Sequence, residues 1–186
     1  MRGGGARAGE ESRLKQRHWR EGAAGIGEDR LYFAVLKMLH LLGAGVLFGT
    51  GLGIAFFMFW AHRTGDARAI ATTAKIVVSA DYIFTATAVV AQPITGALLA
   101  RELGYSLTEG WILVSLGLYV LTGLCWLPVV WLQLKMRDLA VAAAAGGAPL
   151  PDAYYRAQRA WFWLGWPAFA AVMAIYWLMI SRPELF

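Results

Sequence analysis

The sequence predicts an all-α integral membrane protein, an up-and-down four-helix bundle. Three observations lead there. Apolar residues make up 59% of the chain and charged residues only 16%, against roughly 25% charged in a soluble domain. Four apolar runs each reach the roughly 20 residues that a helix needs to cross a bilayer. Short connections join the runs, which makes successive helices antiparallel neighbours. A soluble chain of 186 residues has too little polar surface to cover four such runs.

Residues 1–30 form a tail with seven basic and five acidic residues. It is rich in Gly, Arg and Glu and has no apolar periodicity, so disorder is expected. An over-extended start would read the same way. A secretory signal is not expected, because the apolar run comes late, is too long and lacks a small-residue cleavage site. Residues 31–186 are the expected transmembrane domain.

The first span covers 31–61. Lys37 and His40 share one of its faces, and ionisable side chains inside a span are functional-site candidates because hydrocarbon penalises them. Gly45, Gly49 and Gly53 make two overlapping Gly-x-x-x-Gly steps roughly opposite His40. Such a strip admits a second backbone closely, within the bundle or in a homodimer.

The second span covers 76–100. Asp81, Thr85, Ala88, Gln92 and Thr95 fall at i, i+4, i+7, i+11 and i+14, one stripe of polar and small residues on an apolar helix. A lipid-facing Asp alone costs about 2.5–3.5 kcal/mol at the bilayer centre, so the stripe is expected to face inward. Pro93 frees the Val89 carbonyl and predicts a bend.

The third span, 111–134, presents a matching face of Trp111, Ser115, Tyr119, Thr122, Trp126 and Gln133, with Pro128 beside it. The fourth, 161–180, carries Trp161, Trp163 and Trp166 at one end and Tyr176 and Trp177 at the other. These rings are expected in interface belts. The Ala/Gly-rich residues 140–147 are expected to be a loop.

The first and third connections, 62–75 and 135–160, hold Arg63, Arg68, Lys75, Lys135, Arg137, Arg156 and Arg159. The positive-inside rule places both in the cytoplasm of a bacterial inner membrane and both termini outside; the basic tail pulls the other way. The net charge of +5 thus reads as topology signal and lipid contact. It does not point to nucleic acid, since no basic face with interleaved aromatics is present. The one cysteine, Cys125, excludes an internal disulfide. No phosphate loop, nucleophile elbow or metal-ligand spacing occurs, and no residue stands out as catalytic.

Setting the first two spans antiparallel brings Lys37, His40, Thr95 and Gln92 together in the outer half. It places Asp81 toward the cytoplasmic edge, within reach of Lys75, Arg63 or His62 as ion-pair partners. His40 and His62 are 22 positions apart on one helix, about 33 Å of rise, and cannot ligate one metal within a chain. Two functional classes follow. In one, the seam holds haem b or a porphyrin with His40 as axial ligand, since a neutral imidazole suits that role. In the other, the seam is structural, accessory or transport-like, with Asp81 and His40 passing a proton or ion. The balance leans away from an enzyme; an enzymatic version would be a haem-linked membrane oxidoreductase.

The residues also carry a resemblance. Leu36-Lys37-Met38-Leu39-His40-Leu41-Leu42-Gly43, Gln92-Pro93-Ile94-Thr95-Gly96 and Cys125-Trp126-Leu127-Pro128-Val129-Val130 resemble an uncharacterised bacterial family of four-helix integral membrane proteins, a domain-of-unknown-function family, over about residues 34–180. That resemblance implies four spans and an inner-membrane location. More distantly, the Leu39-His40 start is similar to HemJ-type protoporphyrinogen oxidases and copper-resistance D proteins. His62 is similar in place to a second His of the HemJ type. Leu47 and Phe56-Phe57 stand where that type has a Trp and a Pro-Arg pair, which removes an arginine partner for a propionate.

Overall fold

The computed structural model describes the backbone of residues 4–186 and the side chains of residues 27–186. The sequence predicts disorder over residues 1–30, whereas the described backbone is helical from Gly4. Helix α1 runs Gly4–Thr64, and its membrane-length part is Gly27–Thr64. Helix α2 (Ala67–Ala80) passes through one π-helical turn (Asp81–Thr85) into α3 (Ala86–Glu102), and these three form the second span. Helices α4 (Gly110–Gly146) and α5 (Asp152–Ser181) complete the bundle. All four units are long and apolar enough to cross a membrane, with peak mean hydropathy of 1.6 to 2.0. No strand occurs among the described residues.

Helix α4 packs most extensively on α5, α2 packs on α4, and α1 packs along the whole second span, while α1 and α5 scarcely meet. The second span is therefore the inner wall shared by the two halves. Aromatic side chains bridge the α1–α5 side: the Phe48 ring lies 5.6 Å from that of Phe169 and 5.8 Å from that of Tyr176. One apolar cluster, including Met58, Ile70, Met136 and Tyr154, fills the end near the first and third connections. A smaller one, Ala100, Trp111, Ile112 and Leu178, closes the other end. Many large apolar side chains, such as Leu41, Phe57, Leu124 and Ile180, point outward, as they must where lipid is the solvent.

Two expected connections shrink. Helix α4 continues through the Ala-rich stretch expected to be a loop, because alanine is the best helix former and Met136, Ala140 and Ala143 bury one face at helical spacing. It stops at Gly147, whose φ of 60° suits glycine and whose N–H reaches the Ala143 carbonyl. The connection 135–160 thus reduces to residues 147–151. Likewise, 62–75 reduces to residues 65 and 66. Gly65 takes a φ of 66°, and the Asp66 carboxylate caps α2 by accepting the Arg68 N–H at 2.9 Å.

Candidate functional site

The polar stripe of the second span faces inward and serves two different neighbours. Its lower part is bonded by side chains of α4; its upper part meets α1.

Asp81 opens the π-turn, where the Ala86 N–H returns to the Asp81 carbonyl five residues back. Such a turn adds a residue to the helix and re-aims side chains, and it is frequent at functional positions. Asp81 is only 4% exposed. Its Oδ1 accepts the Trp126 indole N–H at 3.3 Å, and its Oδ2 accepts the Gln133 amide at 3.1 Å. The Gln133 amide is assigned by its neighbours: the Trp161 indole N–H can only donate, so the Gln133 oxygen faces it, at 3.3 Å. The chain Trp161→Gln133→Asp81←Trp126 therefore has a fixed polarity and ends on the carboxyl from both sides. Thr85, one turn on, lies beside the carboxyl, but its buried hydroxyl makes no bond of ordinary geometry.

No cation pairs with Asp81 among the described residues, where Arg137–Asp138 is the ion pair found. The expected partners all point elsewhere. Lys75 is exposed, and at six positions from Asp81 it sits about 240° around the helix. Arg63 is exposed and lies 5.6 Å over the Phe59 ring. His62 stacks on Tyr154 at 5.7 Å. Nor is Asp81 at the helix edge: it lies 14 residues into the second span, about 21 Å along its axis.

The upper cluster forms where α1 crosses α3. His40 Nδ1 and Thr95 Oγ1 are 3.0 Å apart. The Thr95 hydroxyl also lies 2.9 Å from the Ala91 carbonyl and 3.2 Å from the Gln92 carbonyl, and we assign its one hydrogen to these backbone acceptors. His40 Nδ1–H is then the donor to Thr95, and Nε2 keeps its lone pair. Two glycines make this crossing fit. A Cβ on Gly96 would stand 2.9 Å from His40 Cε1, and one on Gly43 would stand 2.5 Å from Gln92 Oε1. That Gln92 oxygen is buried without a partner. Lys37 is exposed and does not join the cluster. Asp81 and Gln92 are 11 positions apart, about 16 Å along the second span.

The predicted α4 face is used along its length. Tyr119 OH donates to the Val89 carbonyl, the acceptor that Pro93 leaves free, and Trp126 and Gln133 hold Asp81. Among the described residues, no helix packs closely on the strip at Gly45, Gly49 and Gly53: a Cβ at any of the three meets nothing within 4 Å. Gly45 and Gly49 instead line a shallow groove of about 460 Å³ with Leu41, Leu42, Val46, Thr50 and Phe84.

Sequence reasoning assigned Trp161 to an interface belt, but it is buried and orients Gln133. Trp163, Trp166 and Trp177 are exposed, as belt residues would be. The π-turn, Gly43 and Gly96 were missed as site elements. Both glycines stand beside residues already singled out, three positions from His40 and one from Thr95.

His40 lies in the α1–α3 crossing against Thr95 and the Gly96 backbone, and among the described residues no second imidazole stands in that cluster and Lys37 is exposed. Among the described residues, no three His, Cys, Asp or Glu side chains converge on a metal-sized site.

Four membrane-length helices around a buried polar seam define a small multi-pass integral membrane protein. Residues 34–183 match the profile of DUF2269, described as a predicted integral membrane protein. The chain belongs to that family. No curated protein matches it, and no solved structure does; the likeness to HemJ-type oxidases and copper-resistance D proteins thus gains no support.

Proposed function

We propose that this protein passes protons within the membrane, with Asp81 as the group that takes up and releases them. The observation that carries this reading is a carboxyl buried well inside a span, held by hydrogen-bond donors and matched by no cation. An ion pair would lock such a group in one charge state. Neutral donors leave both the ionised and the protonated form available, at a cost that each form shares differently. The π-turn adds a place where the backbone yields locally. His40, with Nε2 free and the orphan Gln92 oxygen nearby, is the second proton-binding group, in the half of the span toward the 103–109 connection. The setting is the inner membrane of a bacterium, with both termini outside.

The test is proton flux into vesicles reconstituted with purified protein under an imposed pH gradient. Wild type should exceed empty vesicles, and Asp81→Asn should cut the excess about tenfold or more while thermal unfolding shows a folded protein. Equal flux from the two proteins would end the proposal.

The open glycine strip of α1 supports a second, narrower reading, a homodimer joined along Gly45, Gly49 and Gly53.

A further inference from the structure

Helices α1 and α5 scarcely pack together, and at their connection-side ends they part into a cleft of about 450 Å³. Its polar wall is Arg63, Arg159, Gln158 and His62; its apolar wall is Phe59, Phe162 and Trp163. No acidic side chain lines it, and neither arginine has a carboxylate partner among the described residues. Asp81 does not line it.

The cleft is built as well as open. The Arg63 guanidinium is carried 5.6 Å over the Phe59 ring, which holds its planar fork in place. His62 is fixed between Tyr154, stacked at 5.7 Å, and Tyr155, edge-on at 5.9 Å. His62 lines the cleft, while its Nδ1 is buried between the packed rings with no hydrogen-bond partner. Below, the Phe59 and Phe162 rings meet at 6.4 Å and form an apolar floor that continues onto the exposed face of Trp163.

Two unpaired guanidiniums, a neutral amide and the edge of an imidazole ring above an aromatic floor match one ligand chemistry. We infer that this cleft binds the phosphodiester headgroup of an anionic phospholipid, such as phosphatidylglycerol. Arg63 and Arg159 take the phosphate oxygens through charge-assisted bonds. Gln158 and His62 take the glycerol hydroxyls. The acyl chains run down over Phe59, Phe162 and Trp163 between two helices that leave room for them. Basic pockets between spans are suited to such headgroups, and the aromatic floor favours a lipid over a free anion.

The test uses the full-length protein in nanodiscs of neutral phosphatidylcholine doped with brominated lipid, which quenches nearby tryptophan. Brominated phosphatidylglycerol should quench more than brominated phosphatidylcholine at equal mole fraction. The excess should vanish in Trp163→Phe, which removes the reporter. Arg63→Gln/Arg159→Gln should need about tenfold more phosphatidylglycerol for the same excess, and Arg159→Gln alone should weaken it measurably if the double variant fails to fold. Arg156→Gln, an exposed arginine outside the cleft, should keep it. Equal quenching by both lipids in wild type, or full preference in the arginine variants, would overturn the inference. So would displacement of the lipid by millimolar inorganic phosphate, which would make this a free-anion site.

Discussion

Tyr119 on α4 gives its phenolic hydrogen to the carbonyl of Val89, the one acceptor that Pro93 strips of its helical partner four residues on. A proline in a span needs such a replacement, because lipid offers no hydrogen bond. The contact ties the upper half of the second span to α4, as the Asp81 network ties the lower half.

That pairing is testable by a mutant cycle. Tyr119→Phe should lose about 1 kcal/mol of stability, the size of a typical hydrogen bond left unmade. In a Pro93→Ala background the helix supplies its own donor to Val89, so Tyr119→Phe should then cost only a few tenths. Denaturation in mild detergent reads both values, and additive costs would refute the link.

The fixed polarity of the Trp161–Gln133–Asp81 chain makes a sharper prediction. Asp81→Asn replaces one of two acceptor oxygens by an NH2; with the remaining oxygen kept toward the Trp126 N–H, that NH2 faces the Gln133 amide. Gln133 can answer only by rotating, which sets its NH2 against the Trp161 N–H. Asp81→Asn should therefore destabilise by about 1–2 kcal/mol, and Trp161→Phe should recover part of that loss. Thermal unfolding of the two single variants and the double variant decides it; a double variant as unstable as the sum would contradict the assigned direction.

The two glycines at the α1–α3 crossing should behave differently. A methyl on Gly96 presses on the imidazole ring of His40, held at Nδ1 by Thr95, so Gly96→Ala should cost about 1–3 kcal/mol, as overpacking does, and His40→Ala should relieve it. A methyl on Gly43 meets only the free end of Gln92, which can rotate, so Gly43→Ala should be nearly neutral. Unfolding temperatures of the three variants separate these outcomes.

Because no described residue covers Gly49, Gly49→Leu should leave monomer stability unchanged. If two copies meet along that strip, the same change should remove the dimer in crosslinking or single-molecule counting. A loss of monomer stability would show that the strip packs internally after all.

The spans were legible because hydropathy over 20 residues is set by the bilayer itself. So was the inward stripe: Asp81, Thr85 and Ala88 are buried because their 3.6-residue spacing leaves them one face. The freed Val89 carbonyl followed from Pro93 alone, and Tyr119 lay on the predicted α4 face. The identity of partners was not legible. Depth matching by loop position favoured Lys75, Arg63 and His62 for Asp81. It could not see which face of each cation points away, nor that Trp126 and Gln133 reach the carboxyl first. The π-turn leaves no hydropathy signal. Nor does the length of α4 beyond Lys135, where buried Met136, Ala140 and Ala143 keep an interfacial segment helical.

The central claim is that Asp81 gains and loses a proton while folded in lipid. Infrared difference spectra across a pH titration of vesicle-embedded protein test it most directly, since a protonated carboxyl has its own carbonyl band. Wild type should show a component of that band that appears and disappears reversibly and is missing in Asp81→Asn, where the other acidic side chains remain. A band that does not change over the whole range in which the protein stays folded, or one whose every component persists in Asp81→Asn, would contradict it.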